Sequence, residues 1–287
     1  MWDLKRIIIV PNPNKDVGLK VTATIAERLV SLGFECFAEK KYSSLAELGI
    51  TCFEQTPETD LIVVVGGDGS VIDASRLAVE ADVPLLGVNL GKVGYLSEVE
   101  PDNLRLLDKL ASGDYRIDEK MLLSVAKYCE DGSIVCSERL AVNDVVFSHD
   151  NYFGISDLRL ENGQGDLVSY RADGLIVATP AGSTAYSLSA GGPVVSHDID
   201  AITVTPVCPH SFFNRSVIYG PDECLKISNS GDRALIVSVD GRFFATLEAG
   251  EYCAICKSAR RFKMLTFSEN NMFTTLFNKI KIIGDNV

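Results

Sequence analysis

The run Gly66-Gly67-Asp68-Gly69-Ser70 gathers the residue types that phosphate chemistry needs. Glycines let a backbone turn sharply and approach a ligand with no side chain in the way. The free N–H groups of a helix start, and its positive dipole end, suit phosphate. The aspartate is the informative residue, because a carboxylate among phosphate-binding amides repels phosphate unless it has another task. It could hold Mg²⁺, or accept the proton of a hydroxyl nucleophile. Read as structure alone, the run is a tight strand-to-helix turn.

Two further segments carry polar groups where a core would not want them. Asn143 and Asp144 stand inside the strand-like run Ala-Val-Asn-Asp-Val-Val-Phe at 141–147. An amide beside a carboxylate can hydrogen-bond the vicinal hydroxyls of a ribose or the edge of a base. The same dipeptide also suits a bulge or a turn at a strand start. Farther on, Arg171-Ala172-Asp173-Gly174 leads through an apolar strand into residues 179–193, rich in Gly, Ala, Ser and Thr, with one tyrosine. Small residues let a flat cofactor lie close to the backbone. Ser183, Thr184, Ser187 and Ser189 offer hydroxyls, and Tyr186 can stack on a ring. A loop of this length is more often functional than idle.

The elements that must position these residues alternate in the first third of the chain. Residues 7–10 form a short apolar strand ended by Pro11 and Pro13, and 17–32 has helical spacing at Val21, Ile25, Leu29 and Leu32. Residues 35–38, 61–65 and 84–89 are strands, and 70–81 is a helix with Ser70 placed to cap it. This predicts an α/β, Rossmann-like domain over residues 1–113, with a parallel sheet whose carboxyl ends face the ligand. From 114 to 267 the pattern changes to short strands at 122–129, 141–147, 157–161, 174–178, 235–239 and 243–247, which predicts an all-β, sandwich-like second domain. Met272, Leu276, Phe277 and Ile280 predict a last helix over 268–287 that packs back on the first domain.

Bulk properties narrow the function classes. The 287 residues are 46% hydrophobic and 23% charged, with a formal net charge of −12. An acidic chain lacks the basic surface that a nucleic-acid backbone requires. Bound nucleotides would have to rely on backbone N–H groups, a few placed cations and Mg²⁺. No apolar run is long enough to span a bilayer, and the start lacks the pattern of a signal peptide, so a cytoplasmic enzyme is expected. The eight cysteines have no disulfide-framework spacing and are expected reduced, Cys253 and Cys256 being small hydrophobic residues of a strand. His149 and His197 are expected in loops, and no two of the three histidines have metal-ligand spacing.

The loop at 66–70 resembles the Gly-Gly-Asp-Gly loop of a kinase superfamily that includes NAD kinases, diacylglycerol and sphingosine kinases and 6-phosphofructokinases. All phosphorylate a hydroxyl, and the loop alone does not choose among them. The string Thr-Pro-x-Gly-Ser-Thr-Ala-Tyr-x-x-Ser-x-Gly-Gly-Pro at 179–193 closely resembles bacterial NAD kinases. Gly87-Val88-Asn89-Leu90-Gly91-Lys92-Val93-Gly94-Tyr95-Leu96 is similar to another segment of that family, and the resemblance extends to the Asp240-Gly241 turn.

This resemblance implies ATP-dependent phosphorylation of the adenosine-ribose 2′-hydroxyl of NAD to give NADP. It implies Asp68 as general base, Gly69 beside the nucleotide, and Tyr95 lining the NAD pocket. Asn143 and Asp144 would grip ribose and adenine. Arg171, Asp173, Thr184, Ala185, Tyr186, Ser187, Leu188 and Ser189 would be further NAD contacts, and Gly66, Gly67, Gly69 and Ser70 the donor-phosphate loop. Mg²⁺ would come with ATP, with no side chain assigned as its ligand, and the assembly would be a homodimer or homotetramer. The alternatives are a catalytically silent nucleotide sensor and a lipid kinase. The retained Asp68 argues against the first, and the polar stretch at 183–189 against the second. Two positions depart from the family pattern. Asp144 stands where many members have Glu, and Arg242 where many have Gln. His210 in Cys-Pro-His-Ser also resembles a family segment and is taken as a satisfied structural histidine.

Overall fold

The computed structural model describes residues 4–91, 94–149, 154–165, 167–210 and 213–267. By internal contact it divides into two compact units, one of the chain up to Glu119 with residues from Phe262 onward, the other of Lys120–Arg261. The helix predicted over 268–287 lies outside the described residues.

The first unit is α/β. Its strands are β1 (Arg6–Pro11), β2 (Glu35–Glu39), β3 (Thr51–Phe53), β4 (Leu61–Gly66) and β5 (Leu85–Asn89), and all their pairings are parallel, in the order β3-β2-β1-β4-β5. Every residue of β4 and β5 is buried, which is why these segments read as continuous apolar runs rather than alternating ones. Helix α1 (Lys20–Ser31) buries Thr22, Ile25, Ala26 and Leu29, one stripe at helical spacing, against the sheet core of Ile7, Ile9, Leu61, Val63 and Leu86.

Two helix starts differ from the sequence expectation. Residues 17–19 form a separate 3-10 turn with Gly18 and Leu19 at positive φ, so α1 begins only at Lys20. Its first turn is held by the buried Asp16, whose carboxylate accepts N–H bonds from Val21 (3.1 Å) and Thr22 (2.8 Å). Helix α2 (Asp68–Ala81) begins two residues before the predicted start, so Asp68 lies in its first turn. Ser70 therefore does not cap it. The N-cap is Gly67, and the Ser70 hydroxyl instead accepts a 2.7 Å bond from the Asn12 amide.

The second unit is built of strands. One sheet contains the antiparallel hairpin β6 (Arg116–Tyr128) and β7 (Ile134–Ala141). A second sheet includes β8 (Asp144–His149), and the first includes β9 (Ser156–Glu161) and β10 (Leu167–Ala172). Then follow β11 (Gly174–Ala178), β12 (Ile202–Val207), β13 (Val217–Tyr219), β14 (Leu225–Asn229), β15 (Leu235–Val239), β16 (Arg242–Leu247) and β17 (Tyr252–Thr266). One antiparallel set runs β10-β9-β14-β17, the other β13-β12-β11-β8-β15-β16. Their inner faces share one core, with Phe147, Leu175 and Val237 from one and Leu158, Tyr170 and Ile255 from the other. The end of β17 belongs to the first unit, where Met264 pairs in parallel with Leu85.

Two expectations fail here. His149 ends β8, opposite Leu235 in β15, and is not in a loop. Cys224 and Cys256 form a disulfide, with Cα atoms 4.4 Å apart, instead of standing reduced. The reason is register, since the Leu225–Ile255 pair of β14 and β17 sets the two cysteines opposite each other across 32 residues of sequence. Cys253 is a core thiol whose pKa burial pushes up to about 12.

The position of β1 between two parallel neighbours, with Ile7, Ile8 and Ile9 buried, gives a stability prediction. Ile9 is 1% exposed. Ile9→Ala should destabilise the fold by about 2–5 kcal/mol, the usual cost of emptying such a site. A denaturant titration should show a lower midpoint at unchanged slope.

Candidate active site

In the first unit the loop at 66–70 leaves the carboxyl end of β4, and a second loop leaves that of β5 beside it. Asp68 joins them. Its Oδ2 accepts the Tyr95 N–H and its Oδ1 the Leu96 N–H, each at 2.9 Å. These two bonds fix the plane of the carboxylate and leave each oxygen a further acceptor direction. Burial, then the charge of Asp68, raises the Tyr95 phenol above its ordinary value, so it stays a neutral ring at physiological pH. The β5 loop is shaped by the buried Asn89, which donates to Glu100 (3.0 and 3.1 Å) and accepts the Gly91 N–H (2.8 Å). The Leu90 N–H returns to the Gly66 carbonyl at 2.5 Å, tying the two strand ends together.

The glycines, expected to allow both a sharp turn and ligand approach, divide these tasks between them. A side-chain carbon at Gly66 would lie 2.5 Å from the Ser70 Cβ, and one at Gly67 would overlap the Lys15 ammonium. Only Gly69 of the three opens onto free space. Asn12 and Lys15, absent from the sequence motif, therefore belong to the loop's surroundings. They follow β1, at the same edge of the parallel sheet, and that position is the signal by which they could have been found.

In the second unit Asn143 lies in the bend that precedes β8, and Asp144 is the first residue of that strand. Asp240, at φ 49° in the turn between β15 and β16, organises it. Its carboxylate accepts the N–H groups of Val142 (2.9 Å), Asn143 (2.7 Å) and Asp144 (3.1 Å). From the other side Thr179 donates its N–H to the Asn143 carbonyl (2.9 Å) and its hydroxyl to that of Val142 (2.6 Å). A side chain at Gly182 would overlap the Asn143 carbonyl oxygen, which explains glycine there. Burial, with the charge of Asp240 second, pushes Asp144 from 3.8 up to about 7. At neutral pH its carboxyl can therefore both accept and donate a hydrogen bond.

Residues 179–193, expected as a loop, contain two short helical turns, Ala181–Thr184 and Tyr186–Ser189. The Ser183 and Ser187 hydroxyls face inward, contrary to the expectation that they face a ligand. Ser183 Oγ bonds the Pro180 carbonyl (2.6 Å) and accepts the Val195 N–H (3.0 Å), and Ser187 Oγ bonds Thr205 Oγ1 (3.1 Å). Tyr186 is 48% exposed and Ser189 is exposed, so the outer face of this segment remains open. Arg171 and Asp173 come together with His210, whose N–H bonds the Arg171 carbonyl (2.7 Å) and whose Nε2 stands 4.0 Å from the Asp173 carboxylate. The His210 side chain is 55% exposed. Arg242 opens β16 and is exposed. Among the described residues no group of three or more His, Cys, Asp or Glu side chains could hold a metal ion.

The Asp144 shift makes stability pH-dependent. The folded state holds this proton more tightly than the unfolded chain, so the contribution is complete below the ordinary 3.8 and is lost as pH rises through about 7. Asp144→Asn removes that dependence. Thermal unfolding at about pH 5 and about pH 8 should show the unmodified chain losing stability relative to the variant at the higher pH. Parallel pH profiles would contradict the burial argument.

Comparison with known proteins agrees with this geometry. Residues 7–115 match the ATP-NAD kinase N-terminal domain, and residues 142–267 the ATP-NAD kinase C-terminal domain. The NAD kinase of Thermoanaerobacter sp. (strain X514) is 31% identical over 282 residues, covering 96% of this chain and 99% of the relative. That of Geobacter sulfurreducens (strain ATCC 51573 / DSM 12127 / PCA) is 38% identical over 224 residues, covering 77% and 78%. Among solved structures, an Archaeoglobus fulgidus NAD kinase in complex with ATP superposes with a TM-score of 0.69 at 26% identity, covering 96% of this chain and 99% of that one. The yeast NADH kinase complexed with NADH gives 0.84 at 23% identity, covering 96% and 86%, a likeness of fold. Matched in both of its domains and along nearly its whole length, the chain belongs to the ATP-NAD kinase family.

Proposed function

We propose that this enzyme transfers the γ-phosphoryl group of ATP to the adenosine-ribose 2′-hydroxyl of NAD, forming NADP and ADP. The observation that carries the chemistry is the Asp68 carboxylate, held by two backbone N–H groups in the first turn of α2, inside a glycine loop. Family membership supports the donor and the acceptor, and the relatives that bear the same activity in their names support the reaction.

Asp68 takes the proton from the 2′-hydroxyl as its oxygen attacks the γ-phosphorus, and the bond from that phosphorus to the β–γ bridging oxygen breaks to release ADP. The Gly66, Gly67, Gly69 and Ser70 loop faces the donor phosphates, with the open side of Gly69 nearest to them. Tyr95 lies against the nicotinamide nucleotide. Asn143 and Asp144 bind ribose and adenine, and the near-neutral Asp144 carboxyl matches hydroxyls that both donate and accept. Arg171, Asp173 and the 184–189 segment are further contacts, the latter through its exposed Tyr186 and Ser189 and its backbone. A divalent cation such as Mg²⁺, brought with ATP and with no side chain assigned as its ligand, would spread the charge that develops in transfer. The enzyme works in the cytoplasm, as a homodimer or homotetramer.

Asp68→Asn should keep the fold and one of the two backbone contacts, through its amide oxygen, and lower turnover by about 10²–10⁴, the usual loss of a general base. The assay is NADP formation from NAD, ATP and Mg²⁺, with circular dichroism as the folding control. In the same assay adenosine-2′-deoxy NAD should compete with NAD yet accept no phosphate. Phosphorylation of that analogue at the rate of NAD would place the attack elsewhere, and absence of NADP from the unaltered protein would favour a nucleotide sensor.

A further inference from the structure

Lys15 lies outside every motif used above. It belongs to the turn after β1, where the Lys15 and Asp16 N–H groups bond the Asn12 carbonyl (3.0 and 2.9 Å). That turn is anchored on both sides. The Asn12 N–H bonds the Val65 carbonyl at 2.9 Å, its amide donates to Ser70 Oγ at 2.7 Å, and the Asp16 carboxylate holds the start of α1. The Lys15 side chain therefore projects from a fixed base at the carboxyl ends of β1, β4 and β5. Its ammonium lies over two glycines at once. A side-chain carbon at Gly67 would overlap it, and one at Gly91 would lie 3.4 Å from it.

The cation has no partner of its own. Arg6, Arg28, Lys40 and Lys41 in the same unit are each paired with a carboxylate. Among the described residues the Lys15 ammonium has neither an ion pair nor a hydrogen bond. The chain has 39 acidic residues against 27 Lys and Arg. In such a chain an unpaired, exposed ammonium fixed above a phosphate-type glycine loop has one chemical complement, an anion. Asp68 does not supply it: its carboxylate accepts the Tyr95 and Leu96 N–H groups, and among the described residues it forms no ion pair with Lys15.

We propose that Lys15 is a donor-binding residue, whose ammonium holds the terminal phosphates of the nucleoside triphosphate against the 66–70 loop, and that Gly67 and Gly91 are glycines because a side chain there would displace it. This rests on the phosphoryl-transfer reading above and names a residue for its donor side. A lysine binds phosphate as a point charge, so arginine can replace it in part and a neutral side chain cannot.

The test compares Lys15→Gln, Lys15→Arg and Gly67→Ala with the unaltered enzyme. Lys15→Gln should raise the KM for ATP by about 10-fold or more, the scale of one lost charged hydrogen bond, and leave the KM for NAD within about 2-fold. Lys15→Arg should recover most of the loss, and Gly67→Ala should reproduce it with Lys15 still present. Direct titration of each protein with Mg²⁺·ATP should give the same ranking without reference to turnover. If the unaltered protein makes no NADP, the proposed reaction fails, and the titration still decides the role of Lys15. An ATP affinity unchanged in Lys15→Gln, or equal losses for ATP and NAD, would overturn the assignment. Because Lys15 is exposed, thermal unfolding should be unaltered in both Lys15 variants.

Discussion

The Asp240 carboxylate, buried in the turn between β15 and β16, accepts three consecutive backbone N–H groups, those of Val142, Asn143 and Asp144. A strand that ends in a buried turn leaves such donors without ladder partners, and leaving them unpaired costs roughly 1–3 kcal/mol each. A carboxylate satisfies all three. The same device recurs twice in the first unit, where Asp68 accepts Tyr95 and Leu96 and Asp16 accepts Val21 and Thr22. Each of these aspartates fixes a backbone turn, and each turn presents a group with chemistry, namely the Asn143–Asp144 pair, the Asp68 carboxylate itself and Lys15.

Placing carboxylates so closely has electrostatic consequences. Asp144 lies in the field of Asp240 and cannot be solvated, so its pKa climbs to about 7. Burial raises the Asp240 pKa above its ordinary value, while its three N–H bonds oppose the rise. A carboxyl that titrates near neutrality suits recognition of hydroxyls, and its cost appears as stability lost at high pH. On the other unit the difficulty is reversed. The chain carries 39 acidic residues against 27 Lys and Arg, and the groups proposed to attract a triphosphate to it are the first-turn amides of α2 and the Lys15 ammonium.

Glycine at several positions reports crowding from one side instead of access from the other. Gly67 makes room for Lys15, and Gly182 makes room for the Asn143 carbonyl. In both cases the residue that needs the room is distant in sequence. Gly69 is the loop glycine that borders open space. A motif of three glycines therefore contains two positions set by crowding and one that borders open space.

The local order of residues determined the fold class here. Continuous apolar runs such as 61–65 can only be covered strands, and the change from helical spacing to short alternating strands near residue 114 separates an α/β part from a β part. The sequence also determined the loop chemistry, because Asp68 among glycines at a strand end has few uses. What it could not supply were partnerships across long separations. Lys15 meets Gly67 through parallel pairing of β1 with β4, and Asp240 meets Asn143 through antiparallel pairing of β15 with β8. Cys224 meets Cys256 because β14 and β17 settle in one register. Ser183 and Ser187 turn inward because buried backbone and Thr205 need their hydroxyls, a demand that arises only once the strands have packed. Residue type and spacing set local conformation. Which distant groups share a strand edge, and hence which polar atoms remain for a ligand, is decided by sheet register, and that is a property of the assembled fold.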